Sequence, residues 1–190
     1  MSNFKKIVAI GDSITYGFPY LQCSSWVHLV SEELGFPIVN KGVNGDTSSQ
    51  MLKRFDLDVI SILPSHVIIM GGTNDACARV EAEEVYNNIR YMVEMALQYG
   101  IIPIIGLPIP CNYPQDEYIL GLYREDMREY ALTNDLYVID FYTAFLKYES
   151  KQPQVKFYAD MLHPNESGYK IMAGLAVKAL QTFLKIGRRI

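Results

Sequence analysis

Disulfide chemistry is the first thing this sequence is short of. It carries three cysteines, Cys23, Cys77 and Cys111, far apart and odd in number. None forms a C-x-x-C pair, so a disulfide scaffold or a zinc site is not expected, and three reduced thiols are. No apolar run reaches membrane-spanning length; the longest, Ile101 to Ile109, is interrupted by Pro103 and Pro108. Excess positive charge is also missing. A net charge of −4 and an isoelectric point near 5.4 argue against a nucleic-acid partner. The basic ends, Lys5-Lys6 and Arg188-Arg189, are too short to alter that. Ser2 to Lys6 is polar, and Ile7 to Ile10 is too short for the apolar core of a secretory signal. These absences lead to the expectation of a cytoplasmic protein. Repeats, low-complexity tracts and linkers are absent from the sequence.

What is present is the composition of a globular chain. Its 190 residues suit one domain, 1–190, and 49% are hydrophobic against 20% charged. A chain of this size can bury roughly 70% of its unfolded surface and needs no staples. Short apolar runs alternate with longer amphipathic ones. Strands are expected at Lys6 to Ile10, Pro37 to Asn40, His66 to Met70, Ile101 to Leu107 and Tyr137 to Ile139. Helical spacing runs through Gln22 to Leu34, Ser48 to Leu63, Ala82 to Tyr99, Glu117 to Asn134, Thr143 to Glu149 and Ser167 to Ile186. Pro108 to Pro114 reads as one long irregular loop. Strands alternating with helices imply β-α-β units and a five-stranded parallel sheet covered on both faces. Ligands of such sheets bind beyond the carboxyl ends of the strands. The unusual residues collect there: Ser13 after the first strand, Asn44-Gly45-Asp46 after the second, and Asn74 after the third.

Ser13 stands where the first strand turns into a helix, beside free backbone N–H groups. An acyl-transfer serine needs that placement, because its oxyanion forms next to the nucleophile's own N–H. The competing reading is that Asp12, Ser13 or Thr15 only caps the next helix. The segment is not the nucleophile elbow of α/β-hydrolases, because Thr15 occupies the second glycine position of that motif.

His163 is one of three histidines, with His28 and His66, which read as structural or solvated. It differs from them because Asp160 precedes it by three residues and Pro164 follows. In a tight turn that spacing lets the carboxylate accept from Nδ1–H and leaves Nε2 for the Ser13 proton. The alternative is a turn before the last helix, capped by Asn165 or Ser167. Asn74, after two glycines, can offer an amide N–H to a developing oxyanion, and Gly45 can offer a backbone N–H. Turn chemistry at Asn44-Gly45 and capping by Asp75 are the alternatives there.

Four blocks carry a resemblance. Gly11-Asp12-Ser13 with Gly17, Gly45 within Asn44-Gly45-Asp46, Gly72-Thr73-Asn74-Asp75, and Asp160-Met161-Leu162-His163 occur in one order from Gly11 to His163. In these blocks the chain resembles the SGNH hydrolases, the GDSL family of esterases and lipases. Ile14 stands where the family's name has leucine. The resemblance implies a three-layer α/β/α sandwich of flavodoxin-like type. It implies Ser13 as nucleophile, His163 as base and Asp160 as third member of the triad. It also implies an oxyanion hole of the Ser13 and Gly45 N–H groups with the Asn74 side chain.

No cofactor and no metal are expected, and the partner is a small-molecule ester. The family spans acetyl esterases, arylesterases, thioesterases, lysophospholipases and carbohydrate deacetylases. Tyr16 to Tyr20, Ala76 to Val80 and Leu107 to Tyr113 are the expected substrate walls. Their mix of aromatic, small and proline residues suggests a shallow site and short-chain or acetyl esters. A rival reading is a flavin- or phosphate-binding module of the same sheet, with Ser13, Thr15 and Gly17 around a phosphate. That reading leaves Asn74 and the Asp160/His163 pair without a role. A Walker-type nucleotide site is favoured less still, because the Gly11 loop lacks the Gly-Lys-Ser/Thr ending.

Overall fold

The computed structural model describes residues 6–152 and 156–186. The basic residues Lys5, Arg188 and Arg189 of the sequence reading lie outside the described residues. The five expected strands form one sheet: β1 (Ile7–Gly11), β2 (Ile38–Gly42), β3 (His66–Met70), β4 (Ile102–Leu107) and β5 (Tyr137–Asp140). All pair in parallel, in the order β2-β1-β3-β4-β5. This is the flavodoxin-like order, and the chain reverses its direction of winding beside β1.

Eight helices are described: α1 (Ser13–Tyr16), α2 (Trp26–Leu34), α3 (Ser48–Asp58), α4 (Thr73–Cys77), α5 (Ala82–Gln98), α6 (Pro114–Thr133), α7 (Phe141–Lys151) and α8 (Glu166–Ile186). Successive strand residues point to opposite faces, which sorts the core into two halves. Val8, Ile10, Val67, Ile69 and Ile105 pack with Met51 and Phe55 of α3, Met92 of α5 and Met127 of α6. Ile7, Ala9, Ile68 and Ile104 pack on the other side with Trp26 of α2, Phe145 of α7 and Met172 of α8. The sheet is thus covered on both faces, as a parallel sheet requires.

Several boundaries differ from those read in the sequence, each for a local reason. Gln22 to Leu34 is broken at Ser25, which is extended (φ −69°, ψ 156°). Its hydroxyl donates to the Gln22 carbonyl at 2.6 Å and accepts the His28 N–H at 3.2 Å. The result is a 3-10 turn followed by α2. Ser48 to Leu63 divides at Val59, which leaves helical geometry. α6 starts at Pro114 rather than Glu117, because proline suits the first helical position. α1 and α4 are too short to carry a periodic signal.

Two details fix the sheet's carboxyl edge. Gly42 permits β2 to lie against α1; a Cβ there would come within 2.1 Å of the Tyr16 nitrogen. Asn40 crosses the same gap, donating to the Thr15 carbonyl at 2.8 Å. Gly11 is in register with both Gly42 and Met70. The loops carrying Ser13, Gly45 and Asn74 therefore leave three adjacent strands at one level.

Candidate active site

Ser13 opens α1, but Asp12 caps it: Asp12 Oδ1 accepts the Ile14 N–H at 2.9 Å. The Ser13 hydroxyl is thereby free for another partner. Its Oγ lies 2.9 Å from His163 Nε2, although 150 residues separate them. His163 Nδ1 in turn lies 2.8 Å from Asp160 Oδ2. A carboxylate accepts only, so Nδ1 bears the ring proton and Nε2 is the acceptor for the serine O–H.

The turn that holds His163 is built by Asp160. Its Oδ1 accepts the N–H groups of both Leu162 and His163, each at 2.7 Å. Partial burial pulls the Asp160 carboxyl upward, but the His163 and Leu162 N–H groups and the His163 ring together hold it below the usual carboxylate range. The turn closes on itself through the Ala159 N–H and the His163 carbonyl, 2.8 Å apart. Asn165 then caps α8, accepting the Gly168 N–H at 3.0 Å. The segment is a turn before the last helix, and that same turn places the His163 ring against Asp160.

The segments after β2 and β3 carry the other two residues expected to donate, Gly45 and Asn74. Gly45 is exposed with φ +82°, a left-handed conformation that favours glycine. Neither its N–H nor that of Ser13 finds an acceptor among the described residues. Asn74 Nδ2 donates to the Asp46 carbonyl at 2.9 Å, and the amide has a second N–H to offer. Its neighbour Asp75 does not cap its own helix. It accepts the Ser48 N–H at 2.9 Å and the Ser48 hydroxyl at 2.6 Å, so it anchors the start of α3. Residues 74 and 75 thus stitch α4 to the Gly45 loop from two directions.

Burial raises two carboxyls beside this centre. Asp12 is pushed up to about 7, mainly by burial and also by the charge of Asp75, against the pull of the Ile14 N–H. Asp75 is raised by burial despite its bonds from Ser48.

Phe18, inside an expected substrate wall, meets the His163 ring edge-on with centroids 4.5 Å apart. Its carbonyl accepts from the buried Tyr169 hydroxyl at 2.6 Å, which fixes the ring's place over the histidine. The irregular loop after β4 is fastened as well. Arg124 pairs with Glu117, whose other oxygen accepts the Cys111 N–H at 2.8 Å. The Asn112 N–H donates to the Met161 carbonyl at 2.8 Å and ties this loop to the His163 turn. A cavity of about 710 Å³ opens beside Asp160, lined by Asn112, Tyr113 and Tyr158 among others. Neither Ser13 nor His163 lines it. Nothing in the sequence singles out Phe18 or Tyr169, because an isolated aromatic carries no periodic or spacing signal.

Among the described residues no group of three His, Cys, Asp or Glu side chains could hold a metal. No described helix is long and apolar enough to cross a membrane.

The chain is similar to known proteins over most of its length. The model of the GDSL-like Lipase/Acylhydrolase family matches residues 9–171. The structure of a G-D-S-L family protein from Desulfitobacterium hafniense DCB-2 superposes with a TM-score of 0.85 at 32% identity, covering 93% of this chain and 99% of that one. Among curated relatives, the lipoprotein YqeF of Bacillus subtilis is 32% identical over 56% of this chain, and the match spans about half (49%) of that protein. An acetylxylan esterase of Geobacillus stearothermophilus is 28% identical over 89% of this chain and 90% of its own. The chain belongs to the GDSL-like lipase/acylhydrolase family and is a hydrolase of ester bonds.

Proposed function

We propose that residues 1–190 act as one domain that cleaves small esters through an acyl-enzyme formed on Ser13. In this reading His163 Nε2 takes the Ser13 proton as Oγ attacks the ester carbonyl. The ester C–O bond then breaks, and the imidazolium returns the proton to the departing alcohol. Water, activated by the same nitrogen, releases the acid and restores the serine. Asp160 orients the ring and stabilises its charged form. The Ser13 and Gly45 N–H groups and Asn74 Nδ2 take the negative charge that grows on the carbonyl oxygen. The observation that carries the proposal is the 2.9 Å contact between Ser13 Oγ and His163 Nε2, continued at 2.8 Å to Asp160.

The substrate proposed is a short-chain or acetyl ester. Phe18 stands against His163 and narrows the space beside the nucleophile. A relative of similar length is named an acetylxylan esterase. Three free cysteines fit the cytoplasmic placement that is part of this proposal.

The test is a series of p-nitrophenyl esters from acetyl to dodecanoyl, with acyl-CoA thioesters and acetylated sugars beside it. The specificity constant is expected to peak between acetyl and butyryl. A steady rise through decanoyl would favour a lysophospholipase or long-chain thioesterase instead. Turnover is expected to survive EDTA, because His163 already supplies the base; loss on chelation would contradict the mechanism.

A further inference from the structure

One cation sits behind the loops that carry the proposed oxyanion donors. Arg54, on α3, is largely covered, with 17% of its side chain exposed. Its Nη2 donates to the Gly11 carbonyl at 2.9 Å. Its Nε donates to Asp46 Oδ2 at 2.6 Å. Its Nη1 reaches the Lys41 carbonyl at 2.9 Å and Asp58 Oδ2 at 2.7 Å. The first two acceptors lie on either side of the site. Gly11 ends β1, one peptide unit before the one that supplies the Ser13 N–H. Asp46 directly follows Gly45, and its own carbonyl receives Asn74 Nδ2. One planar group therefore touches the segments that carry the Ser13 and Gly45 N–H groups, and Asn74 joins the second of them through the Asp46 carbonyl.

We propose that Arg54 is a positioning residue that sets the spacing between the Ser13 and Gly45 N–H groups. This inference rests on the oxyanion role given to those groups above. A guanidinium presents its donors in a fixed planar fork, so the distance between the Gly11 carbonyl and the Asp46 carboxylate is set by a rigid body. Lys41 and Asp58 complete the arrangement, with Lys41 Nζ 2.8 Å from Asp58 Oδ1. Burial pulls the Asp58 carboxyl upward, but Lys41 and Arg54 hold it below the usual range. The fork is thus anchored on its far side by an ionised partner. A lysine at position 54 would keep the charge and lose the fork. Its rotatable ammonium would not fix the spacing between β1 and the Gly45 loop.

The experiment compares the parent, R54K and R54A on p-nitrophenyl acetate, with competent sites counted by a fluorophosphonate. The readouts are kcat per labelled site, KM and inhibition by a trifluoromethyl ketone, whose serine adduct carries an oxyanion. Misplacement by about 1 Å can cost about 10²-fold in rate. Both variants are therefore expected to lose about ten- to a hundredfold in kcat per site, with KM within about twofold and ketone affinity falling in step. Millimolar guanidinium is expected to restore R54A and to leave N74A unchanged. A simple stabilising role would lower the melting temperature and leave kcat per site and ketone affinity at parental values, and that result overturns the proposal. If R54A does not fold, R54K decides by the same readouts. A parent whose Ser13 is not labelled removes the underlying reading, and this inference with it. A labelled Ser13 with unaltered R54K turnover removes this inference alone.

Discussion

Asp160 holds His163 at two points: Oδ2 meets ring Nδ1 at 2.8 Å, and Oδ1 accepts the backbone N–H at 2.7 Å. The carboxylate therefore fixes both the tautomer and the turn that presents the ring. It is also half exposed, at 48% of its side chain. Water can replace part of what it does for the ring. Asp160→Ala is accordingly expected to be about ten- to a hundredfold less damaging than His163→Ala. The pH–rate profile separates the two groups further. Because Asp160 is held below the usual carboxylate range, its own protonation should not shape the rise of kcat/KM from low pH, which should follow a single ionisation. His163→Ala should remove this limb, and Asp160→Ala should keep it at reduced amplitude. An Asp160→Ala variant as inactive as His163→Ala would mean that water cannot stand in for the carboxylate.

Asn74 is expected to act on charge that exists only in the transition state. Asn74→Ala should lower kcat by about 10²- to 10³-fold, with a smaller change in KM. Steady-state kinetics on one activated ester suffice to measure it. Unchanged kcat with raised KM would make Asn74 a residue that binds the ground state.

Asp12 gives a prediction about stability. In the folded protein its carboxyl keeps its proton up to about pH 7, against 3.8 for the ordinary group. Between those values the folded state binds more protons than the unfolded state, so this group's contribution falls as pH rises from about 4 to 7. Asp12→Asn keeps an oxygen for the Ile14 N–H and cannot ionise. The melting temperature of Asp12→Asn relative to the parent should therefore move in the variant's favour between pH 5 and pH 8. Each kcal/mol corresponds to about 2–4 °C for a domain of this size. Thermal melts at the two pH values check this, and a gap that stays constant or moves the other way contradicts it.

The order of elements was readable because buried parallel strands are short apolar runs and their covering helices are amphipathic. His66 to Met70 is the same segment in sequence and structure. The four blocks likewise pointed to Ser13, Gly45, Asn74, Asp160 and His163, and the structure brings Ser13, His163 and Asp160 into one hydrogen-bonded line. Arg54 was not legible. A single arginine on an amphipathic helix reads as a solvated charge with an i,i+4 partner in Asp58, and its other three acceptors come from strands and a loop that meet it only in the fold. In the sequence Phe18 is visible only as part of a wall, because its partner His163 lies 145 residues away. The break at Ser25 was hidden for a different reason: its hydroxyl competes for nearby backbone groups inside a stretch whose apolar spacing is unbroken.

The central claim is that Ser13 is the nucleophile and that His163 activates it. A fluorophosphonate probe followed by peptide mapping tests this most directly, with the parent, Ser13→Ala and His163→Ala side by side. The account predicts a single adduct on Ser13 in the parent, none in Ser13→Ala, and much slower labelling of Ser13 in His163→Ala. Ester hydrolysis should disappear with the adduct. An adduct on a different serine, with Ser13→Ala turning over substrate at the parental rate, would contradict it.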